Sequence, residues 1–226
     1  MKKEKDTEQS FNYRAAALNV SRREFLKRIG LLSGGIVVYF SVGDVALRAE
    51  HPTDFNAFLK IGADGRVMCF SGKIEMGQGI ITSQAQMLAE ALGVPLTSVD
   101  MVMGDTAFCP HDMGTFGSLS TKYFGVALRR AAAEARAVLI QMAAEHLRTS
   151  PHRLITKDGA VIDPQNPNKK VTYARLTRGK RVERHLKEST VARHSSRYTI
   201  SGKATGRTDA AQKVTGEARY AGKITK

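Results

Sequence analysis

An Ala-rich amphipathic stretch from about Thr121 to Leu147 sets the strongest limit on the fold. Val126, Ala131, Ala135, Val138, Leu139 and Met142 lie on one mixed apolar face, and the alanines favour helix by propensity. Such a helix needs a second layer to cover that face, and the flanking sequence supplies β-structure. Phe55–Ile61 is strand-like, Ala63-Asp64-Gly65 is a hairpin turn, and Arg66–Ser71 is the returning strand. From Thr82 to Leu92, Ala85, Leu88, Ala89 and Leu92 repeat at three and four, which predicts a helix. It stops at Gly93, with Pro95 two residues on. Val99–Val102 follows as a strand, and Leu154–Ile162 is a second hairpin around Asp158-Gly159. Val171–Tyr173 and Tyr198–Ile200 are strand-like. The order β-β-α-β-α-β-β, without an internal repeat, predicts an α+β fold of mixed α/β layers.

Composition narrows the function classes. Hydrophobic residues make up 42 % of the 226, too many for a wholly disordered chain. Two cysteines, Cys69 and Cys109, exclude a disulfide scaffold and a four-cysteine zinc or iron–sulfur site built from this chain alone. Cys69 falls mid-strand and is expected in the core, so no disulfide between the two is expected. Cys109-Pro110-His111-Asp112 offers ligand types, but neighbours in sequence make poor geometry for one ion, so no metal site is assigned there. The net charge is +14, and residues 150–226 carry 18 basic against 6 acidic side chains. A basic third of this kind suits an anionic membrane surface, an acidic partner or a solvated face. No helix-turn-helix or zinc pattern accompanies it, so nucleic acid is not an expected partner.

The N-terminus has the form of an address label. Ser21-Arg22-Arg23-Glu24-Phe25-Leu26-Lys27 matches the twin-arginine signal pattern at every position, and the uncharged run Ile29–Val42 follows. That run is about half the ~20 residues needed to span a bilayer, so it fits the apolar part of a secretory signal. Export to the periplasm is expected, with peripheral membrane association. No clean cleavage site follows it. The expected division is a signal region over 1–49, a main domain over 50–200 and the start of a further domain over 201–226.

Two glycine-punctuated loops precede the two helices. In Glu75-Met76-Gly77-Gln78-Gly79, glycine permits close approach of the backbone and the Gln78 amide offers both a donor and an acceptor. In Asp112-Met113-Gly114-Thr115-Phe116-Gly117-Ser118-Leu119-Ser120, small and hydroxyl residues crowd before the long helix. Helix amino ends favour anions, so each loop suits a phosphate or polar heterocycle. Taken singly, each reads more readily as a plain turn, with Ser118 or Ser120 as a helix cap.

Together the E-M-G-Q-G loop, the short helix, the D-M-G-T-F-G-S-x-S loop and the Ala-rich helix resemble the molybdenum-binding large subunit of the xanthine oxidase family. The likeness is greatest to the exported branch of isoquinoline 1-oxidoreductase large subunits and membrane-linked aldehyde dehydrogenases. The resemblance implies a molybdenum–molybdopterin cofactor, in its cytosine dinucleotide form, contacted by Gly77 and Gln78 and by Phe116, Gly117, Ser118 and Ser120. It also implies a small partner subunit with two [2Fe–2S] clusters, a cytochrome c subunit, and the remainder of the large subunit if it is split. The segment Asp209–Ile224 looks like the opening strand of that family's α/β hammerhead domain. The family's general base lies further along than this chain runs, so no catalytic residue is assigned, and Glu75 is expected to serve loop geometry. The implied function is part of an enzyme that oxidises an aldehyde or N-heterocycle with oxygen from water, inactive alone. The alternatives are an exported basic envelope-binding module and a non-functional gene fragment.

Overall fold

The computed structural model describes residues 35–41, 57–112, 114–185, 198–220 and 222. A five-stranded sheet carries the fold. Its strands are β1 (Gly35–Phe40), β2 (Ala57–Ile61), β3 (Val67–Ser71), β4 (Val99–Met103) and β8 (Arg181–His185), in the order β4-β3-β2-β1-β8. The Asp64-Gly65 turn joins the antiparallel pair β2–β3. Between β3 and β4 the chain crosses through helix α1 (Ile80–Leu92), and the two strands pair in parallel. The long helix α2 (Gly125–Leu147) lies with α1 on one face. There Leu88 and Leu92 of α1 and Leu128 and Leu139 of α2 meet Ile36, Leu59, Val67 and Cys69 of the strands. The opposite face holds a smaller aromatic cluster, in which Phe58 and Phe70 stack with centroids 4.5 Å apart.

A second sheet is the antiparallel meander β5 (Ile155–Lys157), β6 (Ala160–Asp163) and β7 (Asn166–Thr172), closed by the short helix α3 (Tyr173–Thr177). It docks on the end of α1. The Tyr173 hydroxyl donates to the Leu92 carbonyl, and the Gly159 amide donates to the Gly93 carbonyl at 3.0 Å. Gly93 ends α1 at φ +67, and a Cβ there would stand 2.7 Å from the Thr156 carbonyl oxygen. Gly93→Ala should therefore cost about 1–3 kcal/mol, from left-handed backbone strain plus the clash, read as a lowered urea midpoint.

The α+β expectation holds, and the hairpins and both main helices fall where the sequence places them. Three expectations change. First, the apolar run read as part of a leader contains β1, all six residues of which are buried. β1 pairs antiparallel with β2 and in parallel with β8, so it is an interior strand. Gly-Ile-Val-Val-Tyr-Phe suits that place, because a strand covered on both faces needs apolar side chains in both directions. The division at residue 49 therefore cuts through the sheet's own strands. The Ser21–Lys27 pattern and Ile29–Gly34 lie outside the described residues.

Second, Tyr198–Ile200 forms no strand. Residues 198–209 run along α1 as a strap. The buried Glu90 carboxylate accepts the amides of Thr199, Ile200 and Ser201 at 2.7, 2.6 and 3.3 Å. Gln86 donates to the Ile200 and Lys203 carbonyls, and Thr82 Oγ1 accepts the Thr208 amide at 2.9 Å. The expected boundary at 200 thus falls inside one packed unit. Third, the described part of Asp209–Ile224 holds helix α4 (Ala210–Val214), not an opening strand. Its alanines favour helix, and Lys213 reaches back one turn to Asp209.

One core polar group stands out. Gln84 of α1 is fully buried, and neither amide atom has a partner among the described residues. Replacing it with the near-isosteric methionine removes that desolvation cost. Gln84→Met should raise stability by about 1–3 kcal/mol in urea titration; a fall would show that the amide is paired.

Candidate functional site

The site is the junction of two loops at the ends of β3 and β4. The first, 72–79, leads into α1. The second, 104–119, leads through a π-type turn, Ser120–Phe124, into α2. They are locked together near their bases. Lys73 Nζ donates to Asp112 Oδ1 and to the Gly114 carbonyl, each at 2.7 Å. The Ile74 amide donates to Thr115 Oγ1 at 2.8 Å. Asp112 Oδ1 also accepts the Gly114 amide. The Lys73 and Asp112 side chains are only 15 % and 3 % exposed, so this ion pair is shielded from water. A Cβ on Gly72 would run into the Asp112 side chain, so glycine allows the close approach.

Glu75 organises the first loop, as a structural residue would. Oε1 accepts the Gly77 and Gly79 amides at 2.8 and 2.9 Å, and Oε2 accepts the Ile81 amide at 3.1 Å. Partial burial alone would raise its pKa. The amides of Gly79, Ile81 and Gly77 and the Arg207 guanidinium outweigh that, so the carboxyl titrates below its ordinary value of 4.5. A depressed carboxylate stabilises the fold fully above 4.5 and loses that contribution as pH falls through the lower folded value. The Asp209 carboxyl, hydrogen-bonded by Arg207 and Lys213, is also held well below the usual range. Acid titration should therefore loosen the 75–81 segment below about pH 4.5, and Glu75→Gln should flatten that pH dependence in amide exchange.

The expected cofactor residues divide into two groups. Gln78 is exposed, but its amide turns back onto its own loop, donating to the Ile74 carbonyl at 2.9 Å and accepting from the Met76 amide. Gly77 is also exposed, with φ +104 and open space where a Cβ would stand. At the amino end of α1, Glu75 takes the Ile81 amide in addition to those of Gly77 and Gly79. The second loop is different. Ser118 sits at φ +56, a strained region for a residue with a side chain. Neither Ser118 nor Ser120 caps a helix, and no side chain caps the Ser120–Phe124 turn. Both hydroxyls lack a hydrogen-bond partner among the described residues, and the amides that open this turn are likewise uncapped. Gly117 adopts φ +62, and Phe116 is 59 % exposed.

Ile74, Met76, Leu119 and Tyr123 add exposed apolar surface around these polar groups. This combination fits one wall of a site for a ring system bearing anionic oxygens: apolar rim, free hydroxyls and uncapped turn amides. The contacts that join the loops, Lys73–Asp112, Lys73–Gly114 and Ile74–Thr115, were absent from the expected site. The strap that delivers Arg207 was missed as well. Thr82, Gln86 and Glu90, polar at successive steps of four, form a stripe on α1 that could have pointed to it.

Among the described residues, no group of three or more His, Cys, Asp or Glu is placed to hold a metal ion. Asp112 is engaged by Lys73, and Cys109 Sγ donates to the Val102 carbonyl at 3.3 Å. Cys69 lies in the helix-covered core and Cys109 packs on the opposite cluster; both are free thiols. Burial raises the Cys69 pKa far above the thiol range, so it is chemically quiet. No helix among the described residues is long and apolar enough to cross a membrane.

Two joined loops, open toward solvent and uncapped at the turn that begins a long helix, suit a domain that binds a cofactor. The chain belongs to the molybdopterin cofactor-binding domain family, whose model matches residues 6–220. It is 36 % identical over 163 residues to one of the nicotinate dehydrogenase subunits of Pseudomonas putida, covering 72 % of this chain and 14 % of that protein. It is 35 % identical over 112 residues to the xanthine dehydrogenase molybdenum-binding subunit of Escherichia coli O157:H7, covering 49 % and 15 %. Among solved structures it is similar to quinoline 2-oxidoreductase from Pseudomonas putida 86, at 27 % identity and a TM-score of 0.47, over 53 % of this chain and 15 % of that one. The resemblance to the xanthine oxidase family is borne out, and the chain spans only about a seventh of these relatives' lengths. The matched range includes most of the basic C-terminal third.

Proposed function

We propose that this chain forms one wall of the cofactor site in a molybdenum hydroxylase or aldehyde oxidoreductase large subunit, acting on an aldehyde or N-heterocycle with oxygen from water. The observation that carries it is the locked loop pair with Ser118, Ser120 and the first amides of the Ser120–Phe124 turn left without partners. The bound molybdenum–pterin group would supply the redox chemistry. This chain's residues would hold it. The Ser118 and Ser120 hydroxyls and the turn amides would donate to its anionic oxygens, Phe116 would pack on its ring system, and Gly77 would admit close approach. Gln78 would take part by exchanging its bonds to Ile74 and Met76 for bonds to the ligand. Glu75 has its oxygens committed to three amides and Arg207, so it is not the proton acceptor. The same proposal includes the cytosine dinucleotide form, a small subunit with [2Fe–2S] clusters and a cytochrome c subunit. The test is molybdenum and pterin analysis of the assembly containing this chain. Wild type should carry both, and Ser118→Ala with Ser120→Ala should lower them together; an unchanged content would refute the assignment.

Export to the periplasm, with peripheral membrane association, is part of the proposal and rests on Ser21–Lys27. The sheet adds a condition to it. β1 lies inside the folded unit, so any leader processing must fall before Gly35. Intact-mass analysis of the chain from a periplasmic fraction should find Gly35–Phe40 still attached. A folded periplasmic chain beginning after Phe40 would contradict this.

A further inference from the structure

Arg207 stands 130 residues from Gly77 in sequence, yet its guanidinium reaches the first loop. Nη1 donates to the Gly77 carbonyl at 2.7 Å, and Nη2 contacts Glu75 Oε1 at 3.3 Å. Its other side is fixed: Nε and Nη2 each donate to Asp209, to Oδ1 and Oδ2, at 2.9 Å. A planar fork oriented by a carboxylate on one edge can hold a carbonyl and a second carboxylate on the others, which a lysine cannot do.

The loop needs such a tie. Gly77 and Gly79 adopt φ +104 and +80, and Met76, Gly77 and Gln78 are exposed. A Cβ on Gly77 would meet nothing within 4 Å, so no packing restrains that turn from outside. Apart from the Arg207 contact, Glu75 and Gln78 bond within the loop and the first turn of α1. Arg207 is the described contact that joins Gly77 to a distant part of the chain. The strap that carries it is held separately by Glu90, Gln86 and Thr82. The fork is thus delivered by a track that does not depend on the loop.

We propose that Arg207, oriented by Asp209, is a positioning residue that clamps the Gly77–Gln78 turn in the geometry that meets the cofactor. It acts through the Gly77 carbonyl and Glu75 and does not itself touch the cofactor. The inference rests on the cofactor reading above, but its first readout needs no cofactor.

The experiment is amide hydrogen exchange on the full chain, with Arg207→Gln, Arg207→Lys and Asp209→Asn beside wild type. Arg207→Gln should speed exchange at Gly77, Gly79 and Ile81 by about tenfold while leaving 88–92 in the last turns of α1 unchanged. Asp209→Asn should act in the same direction, and Arg207→Lys should restore less than full protection. Equal exchange in wild type and Arg207→Gln overturns the clamp. So does acceleration spread evenly along α1, which would mark a general packing role. Molybdenum and pterin content, measured on the same variants in their assembly, separates the two ideas. Wild type without cofactor sinks the functional reading and leaves the exchange result standing. Arg207→Gln with wild-type cofactor retention sinks the positioning role and leaves the functional reading intact.

Discussion

Val38→Asp is expected to leave the chain without a cooperative folded state at neutral pH. Val38 is fully buried in β1, opposite Leu59 of β2 and Arg184 of β8. Its side chain enters the core shared with α1 and α2. A carboxylate there loses the apolar contacts of valine and is taken out of water among apolar side chains. That costs several kcal/mol, against a total stability of roughly 5–15 kcal/mol for a domain. Val38→Ala should cost less, about 1–3 kcal/mol, and stay folded. Circular dichroism with urea titration ranks the two. If β1 were a dispensable part of a leader, both variants would melt like wild type.

Lys73→Met carries the second large effect. It leaves the Asp112 carboxylate almost fully buried with only the Gly114 amide to satisfy it. Breaking one partner of a shielded pair costs about 3–5 kcal/mol, because an uncompensated charge remains. The double variant with Asp112→Asn should recover part of that loss, with a coupling of about 1–3 kcal/mol. The loss should also reach the site, because Lys73 and Ile74 are what hold the second loop against the first. Exchange at Gly114 and Thr115 should rise in Lys73→Met, and cofactor content should fall in the assembly. Additive single and double variants would show that the pair does not join the loops.

The helices and hairpins were legible because each is a local pattern. The three-and-four repeat marks α1, alanine content marks α2, and Asp-Gly pairs mark both tight turns. β1 was hidden by overlap, since an apolar run after paired arginines satisfies a leader and an interior strand equally well. β8, Arg181-Val182-Glu183-Arg184-His185, was hidden because its charges suit an edge strand and mask any apolar alternation. At the site, the sequence identified both loops but not their joint. Lys73 and Asp112 are 39 residues apart, and nothing local tells a lysine which carboxylate it will meet. It also could not show that Glu75 spends its two oxygens on the amides of Gly77, Gly79 and Ile81.

Two loops sharing one prosthetic group is the central claim. Its most direct test is the structure of the chain with that group bound, solved in the assembly. The expected result places the pterin and its phosphate between Gly77–Gln78 and Phe116–Ser120, with Ser118 and Ser120 within hydrogen-bond distance and the Lys73–Asp112 pair intact. A bound cofactor that touches only one of the two loops, or lies on the far face of the sheet, would contradict it.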